Sequence, residues 1–290
     1  MKKETLHKRL KIANDIMFYI YTNIDTHIDV EELSQDLSIS KFHMQRVFKE
    51  VFHRNIYESI RAIRLQKASN LLLTNRYSTI SNIANMCGYS SQSSFIKAFK
   101  ARFFMTPKEW KNGGFKEYSS KLLNDYRKQG NFTQIFENLE PQILTMEPIK
   151  SYYIRNHGYI EKNIKESWQK LYAWSFSNNI QEYKHIALFH DNPTITPLIE
   201  CQYVACIATN ENVLSDRLPN FVIAGGLYAK FDIQGKKGEF LHFIQWVYHK
   251  WLLESEYETC TKPAYAIYHK NKYLRDDDLF DVSFYLPIIF

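Results

Sequence analysis

The first 110 residues carry apolar side chains at the spacing of amphipathic helices. Leu6, Leu10, Ala13 and Met17 predict a first helix, because residues three and four positions apart share one helical face. The stretch DVEELSQDL, residues 29–37, begins with an aspartate that can cap a helix and has acidic residues in its first turn. We therefore expect this region to be almost entirely helical.

The stretch SKFHMQRVFKEVF, residues 40–52, predicts a helix with two different faces. Ser40 is a suitable N-cap, and apolar residues from Met44 onward form a core-facing stripe. The opposite stripe is mostly polar but includes one aromatic ring; its members are Phe42, Gln45, Arg46 and Lys49. A phenylalanine on a solvated face needs a reason, and packing against a neighbouring helix is the structural alternative to a binding role.

The same outline returns 51 positions later, where Ser91 corresponds to Ser40. Residues 79–104 predict a short helix, a turn at Cys87-Gly88-Tyr89 and a second amphipathic helix. Its outer stripe contains Gln92, Ser93 and Lys97. An intervening helix of about 16–18 residues would be roughly 25 Å long. A short helix, a tight turn and a second amphipathic helix form the outline of a helix-turn-helix unit, whose second helix enters a DNA groove and is called here the reading helix. With the widths of the flanking helices, the intervening helix can hold two reading helices about one DNA turn, roughly 34 Å, apart.

Charge divides the chain into two parts. Residues 1–113 hold 18 Lys and Arg and 10 Asp and Glu, a net charge of +8; residues 114–290 hold 19 and 21, a net charge of −2, and the two sum to +6. A basic first part suits nucleic acid, although it also fits a merely soluble surface.

No apolar run is long enough to span a membrane, and the N-terminus lacks the apolar core of a signal peptide, so we expect a cytoplasmic protein.

The cysteines show no metal-ligand or disulfide pattern. Cys87, Cys201, Cys206 and Cys260 form no CxxC or Cys/His spacing, so we expect reduced, partly buried thiols. No metal site and no cofactor are predicted.

The second half changes from helical to mixed periodicity. After a predicted connector, residues 113–140, a β-rich region starts near Pro141. Within residues 141–290, a strand-like stretch, a glycine and an amphipathic helix occur twice, each time followed by two further strand-like stretches. Two β-α-β-β repeats of this kind predict an antiparallel sheet with helices on one face, an α+β domain.

The first half resembles the DNA-binding domain of the AraC/XylS family. The motifs are SKFHMQRVFKEVF, RLQKASNLLL, ISNIANMCGYSSQSSFIKAFKARF and TPKEW, and together they cover about residues 5–112. The resemblance implies an all-α domain, residues 1–112, with two helix-turn-helix units that contact two successive major grooves of double-stranded DNA. It implies base contacts from Phe42, Gln45 and Arg46 in the first unit and from Gln92, Ser93, Ser94 and Lys97 in the second.

The base chemistry fits these side chains. Phe42 can contact thymine methyl groups, while arginine prefers guanine and glutamine prefers adenine. Lys49 and Lys97 could instead contact phosphates or simply be solvated. The family usually has glycine at the positions of His53 and Phe104, just after each reading helix. Phenylalanine tolerates the left-handed conformation of such a position poorly, so the end of the second helix is less certain than the fold.

The second half, about residues 141–290, resembles gyrase-inhibitor-like effector domains. The motifs are WQKLYAW, ALFHDNPTITP, IAGGLYAKFDIQG, WLLESEYE and DVSFYLPI. The resemblance implies a cleft between the two repeats that binds small molecules, often aromatic or cationic. The candidate effector-binding residues are Trp168, Tyr172, Phe189, Tyr228, Trp246, Tyr268 and Asp281. Aromatic residues at helical spacing are usually core, so we expect about half of the candidates to be structural.

Two substitutions change the expected ligand. The family often has glutamate at the position of Ala266 and an acidic residue at that of Val204, whereas Asp281 retains a carboxylate. A cation in a buried cleft needs a carboxylate to offset its desolvation. The sequence therefore predicts a flat, neutral or weakly charged aromatic effector.

These features predict a sequence-specific DNA-binding transcription regulator, with RNA polymerase as an expected partner and activation expected on family grounds. Enzymatic activity, such as hydrolysis of small electrophiles, is the rival function, but no catalytic residues are predicted because Ala266 replaces the expected glutamate. Sequestration of a small molecule or protein is a third reading, and the paired helix-turn-helix outlines argue against it as the sole role.

Overall fold

The computed structural model describes residues 3–75, 77–127, 136, 138–211, 213, 218–236, 238–275 and 279–290. Part of the predicted connector, at residues 128–135 and 137, lies outside the described residues. The chain divides into two compact units. Unit 1 consists of residues 1–123, 249–261 and Phe290, and unit 2 of residues 124–248 and 262–289.

Unit 1 is helical, as the periodicity predicts. Aspartate, serine or threonine side chains cap several of its helices at the positions expected from the sequence. The helices are α1 (Lys3–Thr22), α2 (Val30–Asp36), α3 (Lys41–Phe52), α4 (Ile56–Thr74), α5 (Ile80–Met86), α6 (Gln92–Phe103), α7 (Pro107–Glu109), a π-helical turn (Trp110–Gly114) and α8 (Phe115–Arg127). None of the helices in the described part of the chain is both long and apolar enough to cross a membrane.

The core of α1–α3 is built from the predicted apolar stripes. Ala13 and Ile20 of α1 and Phe48 of α3 pack with Ile56 and Ile60 at the start of α4. Farther along α4, the side chain of Trp110 donates a hydrogen bond from Nε1 to the backbone oxygen of Ser69, at 3.1 Å. Helix α4 therefore joins a first half of unit 1, α1–α3, to a second half, α5–α8.

Unit 2 is an antiparallel sheet covered by helices on one face. The elements of this half of the chain are β1 (Gln142–Met146), β2 (Ile149–His157), α9 (Glu161–Ser177), β3 (Lys184–Phe189), β4 (Gln202–Ala208), β5 (Asn220–Ile223), β6 (Gly226–Lys236), α10 (Glu239–Trp246), a π-helical turn (Val247–Trp251), α11 (Leu252–Glu254), β7 (Glu258–Thr259), β8 (Ala264–Lys270), a 3-10 turn (Lys272–Leu274) and β9 (Leu279–Ile289). The two π-helical turns and the short strands β1, β5 and β7 were not predicted individually from the sequence.

The strand order explains the shape of the sheet. The order is β1-β6-β9-β8-β3-β4-β2-β5. Residues 147–148 join β1 directly to β2, and residues 224–225 join β5 to β6, although each pair lies at opposite ends of that order. Such short links require the sheet to curl until its ends approach, which gives a half-barrel.

Strand pairing fixes which side chains share a face. Ala187 of β3 lies opposite Ala266 of β8, and Ala266 lies opposite Phe284 of β9. Phe284 contacts Phe243 of α10. These residues therefore belong to the face that the helices cover, while alternate residues, including Tyr265 and Tyr285, form the core of the other face.

Candidate functional site

Helix α3 presents the predicted outer stripe to solvent. The Ser40 hydroxyl oxygen accepts a hydrogen bond from the backbone N–H of His43 at 3.2 Å and starts the helix. Phe42 is 80% exposed, and Arg46 and Lys49 are exposed as well, while Gln45 is half-buried. Phe42 therefore does not pack into a helix interface, which removes the structural alternative for its position.

Two polar contacts hold the surface around this stripe. Lys41 Nζ lies 2.8 Å from Glu31 Oε2 and links α3 to α2, although an exposed pair of this kind adds little stability. Arg46 Nη2 lies 3.3 Å from His43 Nδ1 on the same face of α3. This contact with His43, one helical turn away, orients the guanidinium of Arg46.

Helix α6 has the same arrangement over a different core. Gln92, Ser93, Ser94 and Lys97 are all exposed. The Ser91 hydroxyl caps the helix through the backbone N–H of Ser94, at 3.2 Å. The Ser94 hydroxyl donates to the Ser91 backbone oxygen at 2.8 Å, so a base would have to displace a local hydrogen bond to use it.

Both reading-helix candidates end in a left-handed residue that is not glycine. His53 follows α3 with φ 58°, and Phe104 follows α6 with φ 59°. The uncertain end of the second helix is thus resolved: α6 ends at the position equivalent to the end of α3. Phe104 is 83% exposed, so its ring gains almost no burial in return for an unfavourable backbone conformation.

An aromatic cluster lies between α9 and the sheet in unit 2. Trp168 of α9 donates a hydrogen bond from Nε1 to the Tyr203 hydroxyl at 3.0 Å. The rings of Trp168 and Tyr268 are 5.8 Å apart, and those of Phe189 and Tyr203 are also 5.8 Å apart. The structure therefore brings the predicted residues Trp168, Phe189 and Tyr268 together around Tyr203.

The phenols of this cluster stay protonated at any physiological pH. Burial raises the pKa of Tyr268 to about 12 and holds the pKa of Tyr203 well above its ordinary value. A hydrogen bond joins these two hydroxyls, and it lowers the pKa of Tyr268 while raising that of Tyr203. Both phenols therefore keep their protons, and either hydroxyl can donate to the other.

Tyr159 and Tyr273 complete the cluster and were not predicted. The Tyr159 ring lies 5.6 Å from Tyr203 and 6.2 Å from Phe189, and Tyr273 lies 6.2 Å from Tyr203. The Tyr159 hydroxyl is buried without a hydrogen-bond partner among the described residues. Tyr203 was missed because every residue of β4 is buried, which leaves no alternation to show which side chains face α9.

The other predicted effector residues lie elsewhere, so no single cleft holds all seven. Tyr172 is 53% exposed on the outer side of α9. Trp246 packs against Phe231 and Phe243 under α10. Tyr228 belongs to the core of the opposite sheet face.

Asp281 also lies apart from the aromatic cluster. It is half-buried, and its Oδ2 accepts a hydrogen bond from Gln234 Nε2 at 2.8 Å between neighbouring strands. No group of His, Cys, Asp and Glu side chains that could hold a metal ion occurs in the part of the chain that the structure describes.

Comparison with known proteins assigns both halves. Residues 33–113 match a helix-turn-helix domain family, and residues 139–289 match the family described as a GyrI-like small molecule binding domain. The regulatory protein SoxS of Escherichia coli K12 is 31% identical over 102 residues, which are 35% of this chain and 94% of SoxS.

Two further matches each cover one part of the chain. The xylose operon regulatory protein of the same strain is 34% identical over 96 residues, 33% of this chain, and the chain spans about a quarter, 24%, of its length. The crystal structure of the EcmrR C-terminal domain matches 52% of this chain and 98% of its own, with 13% identity and a TM-score of 0.44. The chain therefore belongs to the AraC/XylS family of DNA-binding transcription regulators and carries a GyrI-like small-molecule-binding domain.

Proposed function

We propose that one copy of the chain reads two successive major grooves of double-stranded DNA. The observation that carries this proposal is the pair of solvent-facing stripes, Phe42-Gln45-Arg46-Lys49 on α3, of which only Gln45 is half-buried, and Gln92-Ser93-Ser94-Lys97 on α6. Both stripes place hydrogen-bonding groups on the solvent side of a capped helix, which suits base edges, and Phe42 adds an apolar ring that suits thymine methyl groups. In this proposal α2–α3 and α5–α6 are two helix-turn-helix units.

The length of α4 supports this spacing. It has 19 residues, which at 1.5 Å each give a rod of about 28 Å. Its first part packs under α3 and its later part is tied to Trp110 beside α6. With the width of the two reading helices added, this rod suits one DNA turn of roughly 34 Å.

Selection of bound duplexes from random DNA tests this proposal. The expected consensus has two short conserved blocks whose centres are about 10–10.5 base pairs apart. A single conserved block, or no consensus at all, would contradict reading by both helices.

We further propose that the aromatic cluster of Trp168, Tyr203, Tyr268 and Phe189 binds the effector, a flat, neutral or weakly charged aromatic molecule with a hydrogen-bond acceptor. When the Tyr203 hydroxyl donates to the Tyr268 oxygen, the Tyr268 proton is left to be donated to such an acceptor. Ring stacking needs no buried carboxylate, and Ala266, on the same sheet face, supplies none.

Two small residues lie beside this cluster. Ala187 and Ala266 are fully buried opposite each other on the helix-covered face, and Phe189 lies 6.3 Å from Phe284 and 5.8 Å from Phe240 around them. A ligand ring would occupy the space above the alanines once one of these phenylalanine rings turns away. In this proposal the two β-α-β-β units are repeats that face each other across the alanines.

A thermal-shift panel on the whole chain tests the effector class. Neutral aromatics, monocations and dications are compared at equal concentration, with Tyr268→Phe as the variant that keeps the ring but loses the donor. Neutral aromatics with an acceptor should give the largest shift, and Tyr268→Phe should reduce it. Ala266→Glu should improve binding of cations. The largest shift from a dication would contradict the proposed class, and an unchanged Ala266→Glu profile would remove Ala266 from the site.

The remaining roles follow from this assignment. We propose a cytoplasmic activator that contacts RNA polymerase and has no enzymatic activity of its own. Support comes from the match to transcription regulators over the DNA-binding region. Purified polymerase and a template carrying the selected site would test it: transcription should rise with added protein, and a fall would indicate a repressor.

A further inference from the structure

A segment from the second half of the chain folds as part of unit 1. Residues 249–261, called here the docked segment, belong to the same compact unit as residues 1–123. Its Leu252 and Thr259 are buried. The DNA-binding unit is therefore built from two stretches of chain that are far apart in sequence.

The docked segment contacts unit 1 at separate points. The Thr261 hydroxyl donates a hydrogen bond to the backbone oxygen of Tyr21, at the end of α1, at 2.9 Å. Asn70 Nδ2, in α4, donates to the Thr259 hydroxyl oxygen at 2.8 Å. The His249 ring meets the Phe115 ring of α8 edge-on, with centroids 5.2 Å apart and planes at 90°.

These contacts fall on both halves of unit 1 and on the helix between them. Tyr21 packs against the core of α1–α3, which lies under the first outer stripe. Phe115 lies 6.3 Å from Trp110, whose ring packs against Phe99 and Phe103 under the second stripe. The docked segment therefore contacts both the core that lies under the α3 stripe and a residue that packs on the aromatic core under the α6 stripe.

The side chains of the docked segment suit a partly buried contact. Burial lowers the pKa of His249 to about 4, so the ring is neutral where it packs on Phe115. Burial raises the pKa of Glu258, while Lys67 and a hydrogen bond with Asn75 oppose that effect. Lys67 and Asn70 are three residues apart and share one side of α4, the side that faces the docked segment.

We propose that the docked segment is a brace that sets the relative orientation of the two stripes, and this rests on the proposed reading of two grooves. Without it, the two halves of unit 1 would be related mainly through α4. A brace reduces the conformational freedom that binding to both grooves must otherwise remove. In the chain, α10 precedes the segment and β8, which carries Tyr268, follows it.

The test compares two duplexes. One carries both blocks of the selected consensus, and in the other one block is scrambled. The variant Asn70→Leu with Thr261→Val removes a hydrogen bond at each of two brace contacts. Full-length variant protein should lose about 3- to 10-fold affinity for the two-block duplex and less than about 2-fold for the one-block duplex.

Matched variants separate a brace from general destabilisation. Thr261→Ser keeps the hydroxyl and should restore the affinity that Thr261→Val loses. Thr22→Val removes a hydroxyl that bonds within α1, to Phe18 O at 3.0 Å, and should leave affinity unchanged. Equal losses on both duplexes, or no loss on the two-block duplex, would overturn the brace. If wild-type protein binds both duplexes equally, the reading of two grooves fails instead.

Discussion

The outer stripes of unit 1 and the aromatic cluster of unit 2 differ in how far their aromatic side chains are buried. Phe42 is 80% exposed, so burial cannot explain a phenylalanine there. Trp168 is fully buried and hydrogen-bonded to Tyr203, so the fold needs this side chain whether or not the cluster also binds a ligand. The comparison teaches that an aromatic residue indicates a binding role most clearly where its side chain is exposed, because burial then gives no reason for it.

The largest expected effect concerns stability. Trp168→Ala should lower the free energy of unfolding by about 3–5 kcal/mol, because it leaves a large cavity and removes the hydrogen bond that the Tyr203 hydroxyl accepts from Nε1. Phe42→Ala should change it by less than about 0.5 kcal/mol. Chemical denaturation of both variants checks the contrast. Comparable losses would show that Phe42 is a core residue after all.

Acid should destabilise both units, because each contains a half-buried histidine whose pKa the fold lowers. Burial lowers the pKa of His249 in unit 1 and of His185 in unit 2 to about 4. Both are neutral when folded, whereas the unfolded chain takes up protons below about pH 6.5. Stability is therefore retained above that pH and falls between pH 6.5 and 4, by up to about 1.4 kcal/mol per pH unit for each ring.

Denaturation curves across this range check the histidine prediction. His249→Phe and His185→Phe should each make the decline less steep than in the wild type. Unchanged pH dependence in both variants would mean that neither ring is held neutral by the fold.

Two substitutions in the α3 stripe should distinguish base contacts from phosphate contacts. Arg46→Ala should cost about 1–3 kcal/mol at the selected site and relax base preference at one position. Lys49→Ala should weaken binding to all sequences alike and reduce the salt slope by about one. Titrations of cognate and random duplexes at several salt concentrations measure both effects. The same change in both variants would mean that the reading face of α3 is misassigned.

The smallest expected effect is the change in stability when glycine replaces either of the two residues with left-handed backbone conformation. Phe104→Gly should stabilise the protein by up to about 1 kcal/mol, since glycine adopts a positive φ without strain. His53→Gly should gain less, because histidine tolerates that conformation better. Thermal unfolding of the pair checks the order. Destabilisation by Phe104→Gly would show that the exposed ring makes a contact that offsets its strain.

The fold could be predicted from the sequence wherever one face of an element is solvated. Helices α3 and α6, with their serine caps, follow directly from apolar residues three and four positions apart. Strand β4 is buried along its whole length, so the sequence predicted the strand but not which side chains face α9. Tyr203 was missed for that reason.

The candidate sites differ in the same way. The stripe residues are exposed as predicted, except Gln45, which is half-buried, because helical phase sets the side of the helix on which they lie. Trp246 and Tyr228 were grouped with Trp168 on residue type, but strand pairing and the position of α10 place them in other clusters. The docked segment could not be predicted, since contacts such as Asn70 with Thr259 join residues 189 positions apart.

The most direct test of two-groove reading is the stoichiometry and footprint of the full chain on its selected duplex. Sedimentation of the complex should give one chain per duplex. Hydroxyl-radical cleavage should show protection on one face of the DNA over two successive helical turns. Protection of a single turn, or complexes that form only with two chains, would contradict the claim that α3 and α6 of one chain read adjacent major grooves.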